Sequence, residues 1–131
     1  MQILSALFLD GIDARQVDGP STRLDLTGVQ FSAPPPEPFP FTWAPHLVVI
    51  VRCGPDESPT ANLEVIFYRD GEVIARNVQI LQIEPTKFSY RLVRAEMEFA
   101  EPGTVEAHCR LDQAEPVVVP YTILPAIPAA D

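Results

Sequence analysis

The apolar run LVVIVRC, residues 47–53, constrains the fold more strongly than any other part of this sequence. Four consecutive β-branched residues follow a leucine, and the run is bounded by Pro45 and by Gly54. A half-exposed strand would alternate apolar and polar residues, so a short continuous apolar run predicts a strand that is covered on both faces. We therefore expect this strand at the centre of the fold, with further strands packed around it.

Other stretches of the chain have the composition of short strands separated by turns. Residues 104–111 alternate clearly, and Val105, Ala107 and Cys109 are expected to face inward. Residues 10–20 are polar and rich in turn-forming residues, so they predict a loop. The predicted strands are residues 3–9, 23–29, 47–53, 63–69, 72–78, 88–99, 104–111 and 117–124.

The clearest local signal is Asp70-Gly71 between two apolar runs, which predicts a two-residue type I′ hairpin. This loop sets a register in which Arg69 pairs with Glu72, followed by Tyr68 with Val73, Phe67 with Ile74, Val65 with Arg76 and Leu63 with Val78. The register predicts one face with the apolar side chains Leu63, Val65, Phe67, Ile74 and Val78.

The stretch 88–99 changes its alternation part-way along. A β-bulge within one strand produces such a change, so we expect one here. The residues expected to point inward are Phe88, Tyr90 and Leu92 before the change and Val93, Ala95, Met97 and Phe99 after it.

Residues 34–45 hold six prolines in twelve positions. Proline removes backbone donors and restricts φ, so this segment is predicted to run as polyproline II and to form neither a helix nor an interior strand. Residues 35–38 match P-x-x-P, which is typical of ligands for domains with an aromatic groove. The favoured alternative is a stiff crossover that Phe39, Phe41 and Trp43 attach to the body of the protein.

These patterns, without any amphipathic helix, predict an all-β fold, most simply a two-sheet immunoglobulin-like β-sandwich of seven to nine strands. At 131 residues the chain is expected to form a single domain, residues 1–131, with a frayed tail at 124–131.

The charge balance disfavours two classes of partner. Nine basic residues stand against 18 acidic ones, for a net charge of −9. The chain lacks the basic surface that binding to nucleic acid or to an anionic membrane requires. No basic residue precedes the apolar N-terminal stretch, so this stretch does not match a signal peptide. We therefore expect a cytoplasmic protein. Cys53 and Cys109 are then expected as thiols, the alternative being a bridge at a spacing similar to that of immunoglobulin domains.

The sequence offers no group of residues typical of catalysis or of metal binding. His46 and His108 have no supporting nucleophile, and His108 and Cys109 would lie on opposite faces of one strand. Two cysteines and two histidines without C-x-x-C spacing do not predict zinc, and the acidic residues of the loop 10–20 lack the EF-hand spacing for calcium. We therefore expect a protein that is not an enzyme and has no cofactor or metal.

Apolar residues occur on both faces of several predicted strands, although a two-layer sandwich buries only one face of each sheet. Another copy of the chain or a partner protein is expected to cover the remainder, so the chain is predicted to be an interaction or assembly subunit, such as a homo-oligomer. The alternative is a small-molecule site with an aromatic pocket walled by Phe39, Phe41, Trp43 and Tyr68. The predicted contact residues are Phe39, Phe41, Trp43, Val48, Ile50, Ile66, Tyr68 and Val118.

Four segments resemble a family of small uncharacterised bacterial β-sandwich proteins known only as a domain of unknown function. They are ALFLDGIDA, PFPFTWAPHLVVIVR, FYRDGEV and the stretch from the F-x-x-P-G turn at Phe99 to Ile123. Val105 stands where such sandwiches often have a tyrosine after Pro-Gly. The resemblance implies a β-sandwich and brings no activity or catalytic residue.

Overall fold

The structure is a computed structural model and describes residues 1–17 and 21–126. Every regular element in these residues is a β-strand, so the predicted all-β class is confirmed. The described residues hold twelve strands, more than expected, because three have only two or three residues and because residues 11–17 are a strand. The strands are β1 (Gln2–Leu9), β2 (Gly11–Val17), β3 (Ser21–Thr27), β4 (Ser32–Ala33), β5 (Phe41–Trp43), β6 (His46–Arg52), β7 (Thr60–Arg69), β8 (Glu72–Gln82), β9 (Phe88–Val93), β10 (Met97–Phe99), β11 (Gly103–Leu111) and β12 (Val117–Ile123).

Two larger sheets supply most of the core. One has the order β1-β6-β9 and the other β4-β12-β11-β7-β8. The described residues also form two two-stranded sheets, β2-β3 and β5-β10. All neighbours are antiparallel except β4 and β12. Buried side chains from both larger sheets form one hydrophobic cluster.

Hydrogen bonds connect the two larger sheets along both sides. On one side, the Gln79 side chain of β8 donates to the Leu92 carbonyl of β9 over 3.2 Å. On the other, the Gln30 backbone N–H donates to the Phe8 carbonyl of β1, and Phe31 accepts from Thr122 of β12. These contacts occupy backbone groups that the sheet edges would otherwise leave unpaired.

The apolar run 47–53 corresponds to β6, which is the middle strand of its sheet. Leu47, Val49 and Val51 point into the core and are fully or almost fully buried. Val48 lies on the opposite face and is also fully buried, between its register partners Leu7 and Leu92. The expectation that both faces are covered is confirmed at Val48. However, neighbouring strands of the same chain flank this side chain, so its prediction as a contact residue is wrong.

The inward direction expected for Phe88, Tyr90 and Leu92 in β9 is wrong, whereas that expected for Val93 is confirmed. Val93 is fully buried, whereas Phe88 and Leu92 are among the exposed hydrophobic side chains and Tyr90 is half-buried. Pairing with β6 explains this, because Val93 lies opposite the core residue Leu47. The alternation does not change between residues 88 and 99, because Val93 in β9 and Met97 and Phe99 in β10 are all buried. β9 and β10 are separate strands with different partners, so the bulge expected within one strand is not observed.

The Asp70-Gly71 hairpin is confirmed, with positive φ at both residues, 51° and 80°. The predicted pairs next to the turn, which join Arg69 with Glu72 and Tyr68 with Val73, are also observed. Beyond them the register shifts by one residue, because a bulge leaves Ile74 out of the ladder.

This shift moves the rest of β8 by one position along β7. Phe67 pairs with Ala75, and Glu64 pairs with Val78. Val78 therefore lies on the outer face of the sheet, and the prediction that it belongs to the inner face is wrong. A slip of one residue has this effect because side chains alternate between the two faces of a strand.

Residues 11–17 form β2, which pairs with β3 in a hairpin outside the hydrophobic cluster. The prediction of a loop over this stretch is therefore wrong, because ladder pairing with β3 supports a strand even without buried side chains. The turn residues Asp18, Gly19 and Pro20 lie outside the described residues. The same holds for 127–131 of the expected tail, whereas residues 124–126 are exposed and irregular.

The proline-rich segment is attached to the core as expected, but it also contains a strand. Phe41 is buried and stacks on Phe99, with ring centroids 5.4 Å apart, and Phe39 contacts Phe41 at 5.2 Å. β5 pairs with β10 through residues 41–43, where proline is absent and every residue can take part in a ladder. The prediction of polyproline II is wrong for these three residues, but β5 has a single neighbour in its sheet and is therefore not an interior strand.

Candidate functional site

The outer face of the five-stranded sheet carries a group of apolar side chains, which we call the exposed sheet face. These residues alternate with the core residues of the same strands and therefore point away from the core. Ile80, Val73, Val78 and Val118 are 73%, 59%, 53% and 45% exposed. The apolar members of the exposed sheet face are Ile66, Tyr68, Val73, Val78, Ile80 and Val118.

Charged residues on this face form a compact network. The Glu64 carboxylate accepts hydrogen bonds from Arg76 and, over 2.9 Å, from Arg110. The hydrogen bond from Arg76, assisted by that from Arg110, lowers the pKa of Glu64 below its usual value. With Glu106, the outward-facing charges of the sheet are two arginines and two glutamates, which sum to zero. The face is therefore neutral on a chain with a net charge of −9.

An imidazole and a phenol ring lie together within the face. The rings of Tyr68 and His108 are 4.5 Å apart between centroids, and both line a depression of about 130 Å³ together with Pro116. His108 Nε2 is buried without a hydrogen-bond partner among the described residues, and it lies 3.7 Å from the Glu106 carboxylate. Among the described residues, no serine, threonine, cysteine or lysine lines this depression.

The predicted contact residues fall into three groups. Ile66, Tyr68 and Val118 lie together on the exposed sheet face. Ile50 is half-buried on the outer face of the other larger sheet, beside the buried Val48. The three aromatic residues of the proline-rich segment pack against the core, and Phe41, only 6% exposed, offers no contact surface.

The contact residues predicted from the sequence do not include Val78 and Ile80, which are 53% and 73% exposed. The register expected from the turn places Val78 on the inner face. The signal that could have identified them is the alternation of Val78 and Ile80 with Gln79 and Leu81, but its direction depends on the bulge at Ile74. The sequence does not mark that bulge.

The predicted aromatic pocket does not exist as one site, because Tyr68 lies on the exposed sheet face while Phe39 and Phe41 pack against the core. Trp43 instead lines a cleft of about 210 Å³ at one end of the molecule, which we call the Trp43 cleft. It is lined by Leu9, Asp10, Gln30, Trp43, Ala44, Pro45, His46 and Arg94.

Polar contacts hold several side chains of the Trp43 cleft in place. Gln30 Nε2 donates to Asp10 Oδ1 over 3.0 Å, and His46 Nδ1 lies 3.2 Å from the Asp10 carbonyl oxygen. Arg94 Nε donates to the Ala44 carbonyl over 3.3 Å. The cleft thus holds one carboxylate, one guanidinium and one imidazole beside an indole ring.

Tyr121 lies behind the indole of this cleft. Its ring is 5.6 Å from the Trp43 ring and 4.8 Å from the Phe8 ring between centroids, and the residue is fully buried. Its hydroxyl has no hydrogen-bond partner among the described residues. Burial, with a smaller contribution from the negative charge of Asp10, raises the pKa of Tyr121 to about 12.

Neither cysteine has the properties of a reactive thiol. Both are buried and unbridged, and Cys53 Sγ donates to the Ser58 carbonyl at 3.5 Å. Burial raises the pKa of Cys109 to about 12, which opposes formation of the nucleophilic thiolate. Among the residues that the structure describes, no three His, Cys, Asp or Glu side chains come together as a metal site would require.

Comparisons with protein-family models and with curated proteins give no match to this chain. Within residues 1–17 and 21–126, no helix has the length and apolar composition needed to cross a membrane.

Proposed function

We propose that this chain is a non-enzymatic assembly subunit that forms a homodimer through the exposed sheet face. The observation that carries the proposal is the combination of apolar exposure and local neutrality on that face. Four of its side chains, Val73, Val78, Ile80 and Val118, are between 45% and 73% exposed. Exposed apolar groups that cluster on one face are typical of interaction sites.

Electrostatics favour a second copy of the chain as the occupant. Two chains of charge −9 repel each other over most of their surfaces, whereas the outward-facing charges of this face sum to zero. Arg76 and Arg110 already neutralise Glu64 within each chain, so a face-to-face contact buries few unpaired charges. A two-fold contact of this kind is self-complementary and closes after two copies.

The size of the face is also adequate. Strands about 4.8 Å apart and about 3.3 Å in rise per residue give five strands a planar footprint of roughly 500 Å², and side-chain relief increases the accessible area. Two such faces bury roughly 1,000 Å² in total before side-chain relief is counted, which reaches the lower limit for a specific interface, whereas a standard one buries about 1,600 Å².

The proposal includes an immunoglobulin-like sandwich as the architecture. Its support is the strand order, β1-β6-β9 beside β4-β12-β11-β7-β8, with one hydrophobic cluster drawn from both sheets. The resemblance to the bacterial family of unknown function stays a prediction. A cytoplasmic location is supported by the two buried, unbridged cysteines, because reducing compartments preserve thiols.

Sedimentation velocity over a wide concentration range tests the homodimer. We expect a concentration-dependent dimer for the wild-type chain and a monomer for the double variant Val78→Asp, Ile80→Asp, since each copy would bring two extra negative charges to the contact. The matched control is Phe88→Asp, which changes an exposed apolar residue on the other larger sheet and is expected to leave the dimer intact. Far-UV circular dichroism verifies that each variant is folded.

Two results would overturn this proposal. One is a wild-type chain that stays monomeric up to its solubility limit. The other is a dimer that Phe88→Asp disrupts and the double variant does not, which would move the contact to the three-stranded sheet.

A further inference from the structure

The Trp43 cleft contains two opposite charges that do not pair with each other. Asp10 and Arg94 both line it, yet neither takes part in an ion pair among the described residues. Each is held by neutral groups instead, Asp10 by the Gln30 amide and Arg94 by the Ala44 carbonyl. The terminal guanidinium nitrogens of Arg94 and one oxygen of Asp10 therefore keep free hydrogen-bonding capacity.

Backbone hydrogen bonds and a neighbouring glycine hold Asp10 in place. Asp10 N–H donates to the carbonyls of Thr27 and Gly28 over 2.9 and 3.1 Å. Gly28 has a φ of +66°, and a Cβ at this position would lie 2.2 Å from Asp10 Oδ2. The carboxylate is thus packed against a left-handed backbone position that favours glycine and where a side chain would meet it, and this packing helps to fix its place at the cleft.

The aromatic side of the cleft adds a further element. Trp43 offers an apolar surface to the cleft, against which an apolar group of a ligand can pack. Behind it, the buried Tyr121 ring lies 5.6 Å from the Trp43 ring between centroids and supports the indole from the core.

We propose that the Trp43 cleft binds a small zwitterion of the α-amino acid class, with its carboxylate on Arg94, its ammonium group on Asp10 and its side chain against Trp43. Arginine binds carboxylates through two parallel hydrogen bonds, and the two binding groups of the cleft have opposite charge, as do those of such a ligand. A volume of about 210 Å³ is below the range of drug-sized sites and suits a molecule of this size. The cleft does not include the exposed sheet face, so this proposal is independent of the homodimer.

Trp43 is the single tryptophan of the chain, so its fluorescence reports on this cleft alone. We would titrate the full chain with L-valine, with isovalerate, which has only the carboxylate, and with isobutylamine, which has only the ammonium group. The expected result is a saturable change with L-valine and at least a tenfold weaker response to either single-charge analogue. No saturable change with glycine, L-valine or L-leucine, or an equal response to all three valine-related probes, would overturn the proposal.

Variants identify the groups that bind the ligand. Arg94→Gln is expected to lower the affinity for L-valine at least tenfold and to remove the preference for L-valine over isobutylamine, because only the ammonium contact remains. Asp10→Asn removes the preference over isovalerate in the same way. Arg15→Gln is the matched control, since Arg15 is exposed and pairs with Asp25 within the β2-β3 hairpin.

Two readouts separate loss of binding from loss of structure or of assembly. Thermal unfolding shows whether each variant is folded, and an unchanged affinity in folded Arg94→Gln refutes the assignment of the carboxylate. Sedimentation of the same samples reports the homodimer separately, so either proposal can fail without the other.

Discussion

Replacing Tyr121 with phenylalanine is expected to stabilise this protein. The residue is fully buried and its hydroxyl has no partner among the described residues. An unsatisfied buried polar group costs about 1–3 kcal/mol. The phenylalanine ring keeps the contacts with Phe8 and Trp43, and the space left by one oxygen costs only a few tenths of a kcal/mol. We therefore expect Tyr121→Phe to raise the free energy of unfolding by about 1 kcal/mol.

Equilibrium unfolding in urea measures this change, with Trp43 fluorescence and far-UV circular dichroism as independent probes. A gain of about 1 kcal/mol corresponds to a rise in Tm of roughly 3–4 °C for a chain of this length. Measurements at low protein concentration keep association out of the comparison. Tyr90→Phe is the control, because Tyr90 is half-buried and is expected to change stability little.

The same variant has a distinct signature at alkaline pH. The pKa of Tyr121 is raised to about 12, whereas an unfolded tyrosine titrates near pH 10. Between these values the folded chain keeps a proton that the unfolded chain loses, so stability falls as the pH rises from about 10 to about 12. Cys109 acts in the same direction, from about pH 9, in both proteins. The difference between wild type and Tyr121→Phe therefore isolates the tyrosine, and the variant should lose less stability over this range.

Destabilisation by Tyr121→Phe would refute this reasoning. It would show that the hydroxyl has a hydrogen-bond partner in solution, and that its burial is not an uncompensated cost. An equal loss of stability in the two proteins between pH 10 and pH 12 would contradict the raised pKa.

Three further predictions concern the backbone, the core and the thiols. Gly28→Ala is expected to cost about 1–2 kcal/mol in urea unfolding, because φ is +66° and the new Cβ would displace the Asp10 carboxylate; a neutral effect would contradict the positive φ. Phe67→Ala removes a fully buried ring from β7 and should cost about 3–5 kcal/mol, and a loss below 1 kcal/mol would mean that the core can collapse around it. A thiol-reactive disulfide reagent should label Cys53 and Cys109 only after unfolding; rapid labelling of the native chain would show that these residues are accessible.

Several features of the fold follow from local residue patterns. The run 47–53 predicts β6, the alternation of 104–111 predicts β11, and Asp70-Gly71 predicts the hairpin with its first two pairs. Each signal is contained in a few neighbouring residues. The physical reasons are the left-handed conformation that Asp-Gly accepts and the two-residue period of a strand, neither of which needs information from distant parts of the chain.

The wrong predictions concern side chains whose exposure depends on residues that are distant in sequence. Val78 is exposed because the bulge at Ile74, three residues after Gly71, changes which face every later residue of β8 occupies, and pairing with β7 fixes that register. Leu92 points outward because β9 aligns with β6. Val48 is buried by its strand neighbours Leu7 and Leu92 rather than by another chain.

The candidate sites show the same division. Ile66, Tyr68 and Val118 could be selected from the sequence as apolar strand residues, but the neutrality of their face depends on Arg76 and Arg110 meeting at Glu64. Asp10 and Arg94 are distant in sequence, and the fold places both in the lining of the Trp43 cleft. The sequence by itself determined the all-β class, the central strand and the hairpin, because these depend on local conformation and side-chain period. Only the tertiary structure decided which faces stay exposed and which charges share a cleft, because register and sheet pairing bring those residues together.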